Sequence, residues 1–315
     1  MKIHLVIPPS AFLLDDRCFP FLGPLQIGAV ARNFGHEVKV HDLTGYKQRH
    51  PEVVHADPEV VLDDAWALLK VGVEEDVALV GFYSLAAQHP HVVELARRLR
   101  AWMPNIKTCI GGPHANTAPE SCVEDGFDWV VVADQGGGGG EAGFLEVLAR
   151  LEGEAPRSLM GDPKIMKVTS RKGVEFEGDE WPLPARDLID LESYHYSVVG
   201  ERATSIISTT GCPFACTFCS HWGAYRKLEI KSAKRVAEEI GEIKSRYGWR
   251  GIMDYSDEAN LRPDFQDEYL PTMRSLGVVW RAFFKNGRHM TREDVFEQMD
   301  ASGCVELCTG GESAT

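Results

Sequence analysis

Short apolar runs alternate with stretches of helical periodicity along most of this chain, and that alternation admits few folds. In the first 150 residues the runs His4–Ile7, Glu37–His41, Val77–Phe82, Lys107–Ile110 and Trp129–Val132 read as strands. Between the third and fourth, Val92, Leu95, Ala96, Leu99 and Met103 recur at helical spacing, with Arg97, Arg98 and Arg100 on other faces. A helix from about Pro24 to Asn33 stops near Gly35. Five strands with interleaved helices predict a parallel, doubly wound, Rossmann-like domain over residues 1–150, with any ligand beyond the carboxyl ends of its strands.

A second alternation begins near Thr204. Thr204–Ser208, Gly251–Tyr255, Val278–Phe284 and Val305–Cys308 read as strands, with helices over Ala233–Tyr247, Asp264–Ser275 and Arg292–Ala301 between them. Repeated strand–helix units predict part of a (β/α) barrel over residues 201–315. Residues 151–200, rich in proline, glycine and charge, read as a linker with a small hairpin around Lys167–Phe176. The second alternation stops after its fourth strand, which would leave an open sheet edge, so the natural chain is expected to continue. Five glycines at 136–140 predict a flexible loop or an altered segment.

Composition removes several classes of function. No apolar run approaches the roughly 20 residues of a membrane helix, and the opening MKIHLVIPPS reads as a buried strand rather than a secretory signal. A cytoplasmic protein with no membrane partner is expected. A net charge of −14 argues against nucleic acid, whose phosphates need a basic footprint. The local basic group Arg226, Lys227, Lys231, Lys234 and Arg235 reads as a solvated helix entrance.

Eight cysteines are too few and too unevenly spaced for a disulfide scaffold. Three of them, Cys212, Cys216 and Cys219, form C-x3-C-x2-C within STTGCPFACTFCSHW, residues 208–222, on a loop after a predicted strand. Thiolates so spaced can hold three irons of one cubane and leave the fourth without a protein ligand. A structural zinc site would want four ligands, and His221 offers the competing closed reading. Cys18, Cys109, Cys122, Cys304 and Cys308 show no ligand spacing. Cys304 and Cys308 flank a predicted strand and read as buried core thiols.

These residues resemble the radical S-adenosylmethionine (SAM) superfamily, whose signature is C-x3-C-x-aromatic-C, with Phe218 at the aromatic position. The resemblance implies a [4Fe–4S] cluster whose open iron chelates the amino and carboxylate groups of SAM. An electron from the cluster then breaks the S–C5′ bond, giving a 5′-deoxyadenosyl radical. It also implies an external electron donor such as a flavodoxin or ferredoxin. By the same resemblance, Asp257 and Glu258 in GIMDYSDEAN are candidates for the SAM amino end. Gly310, Gly311 and Glu312 in GGES match a further SAM-contacting element. WRAFFKNGRH offers Arg281, Lys285 and Arg288, with Arg288 a weak candidate for the SAM carboxylate.

Residues 1–150 resemble the cobalamin-binding domain fused ahead of many such enzymes, through IPPS at 7–10, FPFLGPLQIGAVARNFGHEVKVHDL at 19–43, VGFYS at 80–84 and GGPHA at 111–115. WPLPARDLI, just before the barrel, extends the likeness over nearly the whole chain. Gly111 and Gly112 end a strand, where a missing Cβ lets backbone approach a ligand. Ser84 ends another and can hydrogen-bond a buried nucleotide tail. Two departures stand out. The loop PPSAFLLDDRCF lacks the cobalt-ligating histidine of D-x-H-x-x-G, and ADQGGGGGEAGFLEVL keeps only Glu141 and Phe144 comparable to the family's glycine–acid repeat. His114 reads as a helix-start or packing residue.

The implied activity is cobalamin-dependent methylation of an unactivated carbon in a small-molecule substrate. The same architecture serves radical cyclases and ring-rearranging enzymes, and a non-catalytic cobalamin sensor is the alternative from another class. A methylthiotransferase would need a second three-cysteine site, which Cys18, Cys109 and Cys122 do not supply.

Overall fold

The computed structural model describes residues 1–13, 15–53, 55–133, 139–154, 162–167, 179–219, 228–287 and 293–310. The chain divides into two compact units, Met1–Glu175 with Pro182–Ser193, and Phe176–Trp181 with Tyr194–Thr315.

The first unit is a parallel sheet of β1 (Lys2–Ile7), β2 (Glu37–Asp42), β3 (Leu79–Tyr83), β4 (Lys107–Gly111), β5 (Trp129–Val132) and β6 (Ile165–Lys167). Its order is β2-β1-β3-β4-β5-β6, which reverses direction between β1 and β3. In such sheets the crevice at the reversal, at the strands' carboxyl ends, is where ligands bind. The helices are α1 (Leu22–Asn33), a short α2 (Tyr46–Arg49), α3 (Pro58–Gly72), α4 (His89–Trp102), α5 (Pro113–Thr117), α6 (Pro119–Glu124) and α7 (Gly139–Leu151). One face of the sheet buries Val6, Val80, Phe82, Ile110 and Val130 against Leu62, Leu69, Val92, Leu95 and Leu99 of α3 and α4. The five expected strands are present within two residues of their expected bounds. The periodicity of 92–103 falls on α4, and α3 starts on an Asp57 cap that accepts from Glu59 N at 2.9 Å.

The expected linker is only partly one. Ile165–Lys167 pairs parallel with β5 as the sixth strand. Pro182–Ser193 packs on α1: Ala185 N donates to Leu25 O at 3.1 Å, Gln26 Nε2 to Pro182 O at 2.9 Å, and Arg32 grips Asp187 with two bonds. Prolines at 182 and 184 signalled a break in regular structure, and an irregular segment can still be packed tightly. The hairpin expected at Lys167–Phe176 opens instead with Lys167 in β6, and its residues 168–176 lie outside the described residues. So does most of the glycine run, although Gly139 and Gly140 begin α7.

The second unit carries β7 (Ser197–Val198), β8 (Glu201–Ile206), β9 (Thr209–Thr210), β10 (Glu229–Ile230), α8 (Ala233–Tyr247), β11 (Gly251–Asp254), α9 (Leu270–Leu276), β12 (Val279–Phe283), α10 (Glu293–Ala301) and β13 (Cys304–Cys308). Strands β8, β11, β12 and β13 are parallel neighbours in sequence order, a curled half-barrel, with β7 antiparallel at one edge. Helix α8 spans the expected residues, capped by Ser232, which accepts from Arg235 N, and by Gly248 at its end. The helix expected from Asp264 opens as a π-type turn, Phe265–Tyr269, before α9. Among the described residues no helix is long and apolar enough to cross a membrane.

Candidate functional site

Cys212, Cys216 and Cys219 lie on the loop that leaves β9, all three free and partly buried. The short β9–β10 pairing, Thr210 opposite Glu229 and Thr209 opposite Ile230, closes the base of that loop. Cys219 N donates to Cys216 O at 3.0 Å, curling the two later cysteines into one turn. Burial pushes the Cys212 thiol up. Among the described residues, the trios of ligand atoms mutually within 4.8 Å, the spacing a single ion would use, do not include these three thiols. A cubane, with each thiolate on a different iron, holds its ligands farther apart. Phe218, at the aromatic position, is 68% exposed. His221 lies outside the described residues.

The loop begins from a rigid anchorage that sequence reading missed. Asp254, the last residue of β11, is fully buried. One carboxylate oxygen accepts from Ser208 Oγ at 2.5 Å and from the Tyr269 hydroxyl at 2.7 Å. The other accepts from Ser256 Oγ at 2.6 Å and from the backbone of Ser208 and Ser256. Ser256 Oγ in turn accepts from Ser208 N and Thr209 N at 2.9 and 2.8 Å. Asp257 adds the next bond, accepting from Gly211 N at 2.8 Å. The residue before Cys212 is therefore tied to the end of β11. Asp257 thereby clamps the start of the cysteine loop.

Glu258 is the other acid expected there. Its Oε2 is buried and has no hydrogen-bond partner among the described residues. Burial raises its carboxyl above the ordinary range, against the opposing pull of Lys285, with Asp257 adding repulsion. Lys285 stands 5.0 Å over the Phe214 ring, and its backbone exchanges two 2.9 Å bonds with Asn260. Gly310 ends the described chain, and Gly311, Glu312 and Arg288 lie outside it.

Cys304 and Cys308 are not the core thiols expected. Both are partly exposed, because β13 buries little of either face. Cys308 Sγ lies 2.8 Å from the Arg281 guanidinium, which also pairs with Glu306 at 3.0 Å.

In the first unit Ser84, Gly111 and Gly112 meet at the ends of β3 and β4. Ser84 N donates to Gly111 O, and His114 N to Ser84 O, each at 3.0 Å. Gly112 has φ +100°, and a Cβ there would stand 2.9 Å from Ser84 O. Its glycine is required by the chain itself. Gly111 differs: a Cβ would meet nothing closer than 3.6 Å, so the protein alone leaves room beside it. Ser84 is fully buried, its hydroxyl donating to Leu85 O or bonded to His89 Nδ1, both at 3.2 Å. At the β1–β3 reversal, buried Gln88 donates to Ser10 Oγ at 2.7 Å and accepts from Leu85 N at 3.1 Å. Asp16 clasps the β1 and β2 loops, accepting from Ser10 N and Gly45 N. Hydrogen bonds thus tie together the loops that frame the crevice.

Residues 206–315 match the family model described as the radical SAM superfamily, and residues 17–138 match that of the B12 binding domain. The chain is 28% identical over 78% of its length to a hopanoid C-3 methylase of Methylococcus capsulatus, covering 44% of that protein. It is 25% identical over 99% of its length to a cytidylyl-2-hydroxyethylphosphonate methyltransferase of Streptomyces wedmorensis, covering 65% of it. Among solved structures it resembles TsrM from Kitasatospora setae, a radical S-adenosylmethionine methyltransferase with cobalamin and a [4Fe–4S] cluster bound. That likeness has a TM-score of 0.64 at 17% identity and covers 98% of this chain and 58% of that one. The chain thus spans between about half and two thirds of these relatives.

Proposed function

We propose that this chain, whose residues 206–315 match the radical SAM superfamily and whose residues 17–138 match the B12 binding domain, cleaves SAM reductively to methylate an unactivated carbon of a small molecule. A radical SAM domain implies a [4Fe–4S] cluster and SAM, and a B12-binding domain implies cobalamin. When bound, the cluster supplies an electron at an iron without a protein ligand, and the corrin supplies a methyl carrier.

The chain's own residues fit those groups. Cys212, Cys216 and Cys219 are the three thiolates, on a loop whose first residue is clamped by Asp257. Glu258 has a buried oxygen with no hydrogen-bond partner among the described residues, an acceptor suited to the amino group of SAM. Gly310, Gly311 and Glu312 are further SAM contacts in this reading, and Phe218 holds the aromatic position of the cysteine motif. Ser84, Gly111 and Gly112 serve the corrin's nucleotide side, Gly111 through the space beside it. A flavodoxin- or ferredoxin-type donor supplies the electron.

The observation that carries the reading is the pairing of a three-thiol loop with an unpartnered buried carboxylate oxygen at the same end of a half-barrel sheet. Barrel enzymes of this kind work at the carboxyl ends of their strands. The test uses the chain loaded anaerobically with both cofactors, a reductant and SAM labelled in its methyl group. Label recovered with the corrin fraction supports methyl transfer. Formation of 5′-deoxyadenosine with an unlabelled corrin would refute it and favour a cyclase or ring-rearranging enzyme.

A further inference from the structure

The first unit gathers one set of metal-ligating side chains that the function above leaves unused. His89 opens α4, His114 lies in α5 and Cys122 in α6, and each brings one ligand atom within 4.8 Å of the other two. The two imidazoles stack, their centroids 3.8 Å apart with the planes 28° from parallel. Cys122 is fully buried, and the histidines are partly exposed, which leaves a side for an ion to enter.

Packing accounts for the thiol, and Ser84 Oγ and Asp125 partner the two nitrogens of His89, so that Nδ1 would exchange its 3.2 Å contact with Ser84 for an ion. One nitrogen of His114 is left over. His114 Nε2 is buried without a hydrogen-bond partner among the described residues. An unpaired buried polar atom costs about 1–3 kcal/mol, so it calls for a partner. His89 is held by a carboxylate, its Nε2 2.8 Å from Asp125 Oδ2. That outer contact fixes the ring and strengthens it as a ligand, an arrangement that commonly stands behind metal-bound histidines. Two imidazoles and a thiolate form a nitrogen–sulfur set suited to zinc, with a fourth position left for water.

We propose that His89, His114 and Cys122 form a zinc site at the carboxyl ends of β3 and β4, oriented by Asp125. Binding replaces the Cys122 S–H bond with a metal–sulfur bond and releases that proton to solvent, while both imidazoles stay neutral. The ion would partner the orphaned His114 nitrogen and join three helices that meet beside Ser84.

The test is zinc content of the full chain after its iron–sulfur cluster has been reconstituted, so that the cluster cysteines are taken. About one zinc per chain is expected to survive dialysis. Cys122→Ser and His114→Gln should each lose it with the helical spectrum intact. Asp125→Asn, which removes no ligand, should weaken zinc about 10–100-fold. Cobalt(II) put in place of zinc should give the visible bands of a four-coordinate thiolate site. A chain that holds no zinc at micromolar free metal, or whose zinc is indifferent to both ligand variants, overturns the proposal. Should the variants misfold, cobalt spectra of the unaltered chain decide, since octahedral bands without sulfur charge transfer contradict it.

Discussion

Asp254 and Ser208 are joined by a 2.5 Å hydrogen bond at the point where the half-barrel sheet gives way to the cysteine loop. The carboxylate also takes the Tyr269 hydroxyl at 2.7 Å, so a helix-layer side chain and the cluster loop share one buried acceptor. Tyr269, buried beside that carboxylate, has its hydroxyl held well above its usual titration range, which keeps it a donor.

Asp254→Asn is therefore expected to destabilise the second unit by roughly 3 kcal/mol or more, because an amide must turn donors toward donors. Tyr269→Phe removes one donor only and should cost about 1–2 kcal/mol. Chemical denaturation followed by tryptophan fluorescence, reporting buried Trp280, measures both. Equal effects of the two variants would contradict the hub.

Glu258 should show the opposite balance of stability and binding. Its carboxyl is raised, so the folded chain holds that proton more tightly than the unfolded one. Ionising it near neutral pH works against folding, and the penalty grows as pH rises through the ordinary carboxylate range. Glu258→Gln should leave thermal stability at pH 7 unchanged or slightly higher. It should weaken SAM binding about 10- to 150-fold, since one charged contact to an ammonium group is worth about 1.5–3 kcal/mol. Equilibrium dialysis with labelled SAM reads the second effect, and a destabilised variant with normal SAM affinity would refute the assignment.

Gly111 and Gly112 should separate by substitution. Gly112→Ala forces a side chain into a left-handed backbone and against Ser84 O, and should cost about 1–3 kcal/mol. Gly111→Ala meets only ordinary contacts and should fold normally, yet lower cobalamin retention after gel filtration. Normal retention in Gly111→Ala would remove that glycine from the corrin site.

The strand pair β1–β2 carries an acid-sensitive contact. His41 Nε2 lies 3.0 Å from His4 Nδ1, and burial lowers both rings, His41 to about 3. A histidine depressed in the folded state favours folding above its unfolded value. That contribution is lost as pH falls from about 6.5 toward 3. His41→Leu should flatten the acid limb of the stability profile, and an unchanged limb would show that other groups set it.

Much of this was legible in the sequence where apolar periodicity and turn residues agree. Strands β1 to β5, β8, β11, β12 and β13 follow from the alternation of apolar runs, and helix α8 fills the helical stretch between two of them. What escaped was decided by tertiary partners. Ile165–Lys167 is too short to announce itself, and it is a strand because β5 offers it an edge. Asp254 and Ser256 look like ordinary loop-side polar residues until Ser208 and Tyr269 are brought to them. Asp257 was picked out by its position after the strand, but its backbone contact with Gly211 depends on how the loop folds back. Cys308 sits on a strand, where thiols are usually core, and Arg281 on the neighbouring strand changes its surroundings.

The most direct measurement is the low-temperature electron paramagnetic resonance spectrum of the anaerobically reconstituted, reduced chain, recorded with and without SAM. An iron corner left open by Cys212, Cys216 and Cys219 predicts a [4Fe–4S]⁺ signal that shifts on adding SAM and is followed by 5′-deoxyadenosine. A cluster signal indifferent to SAM, with the nucleoside absent, would mean that the fourth corner is closed and would contradict the account.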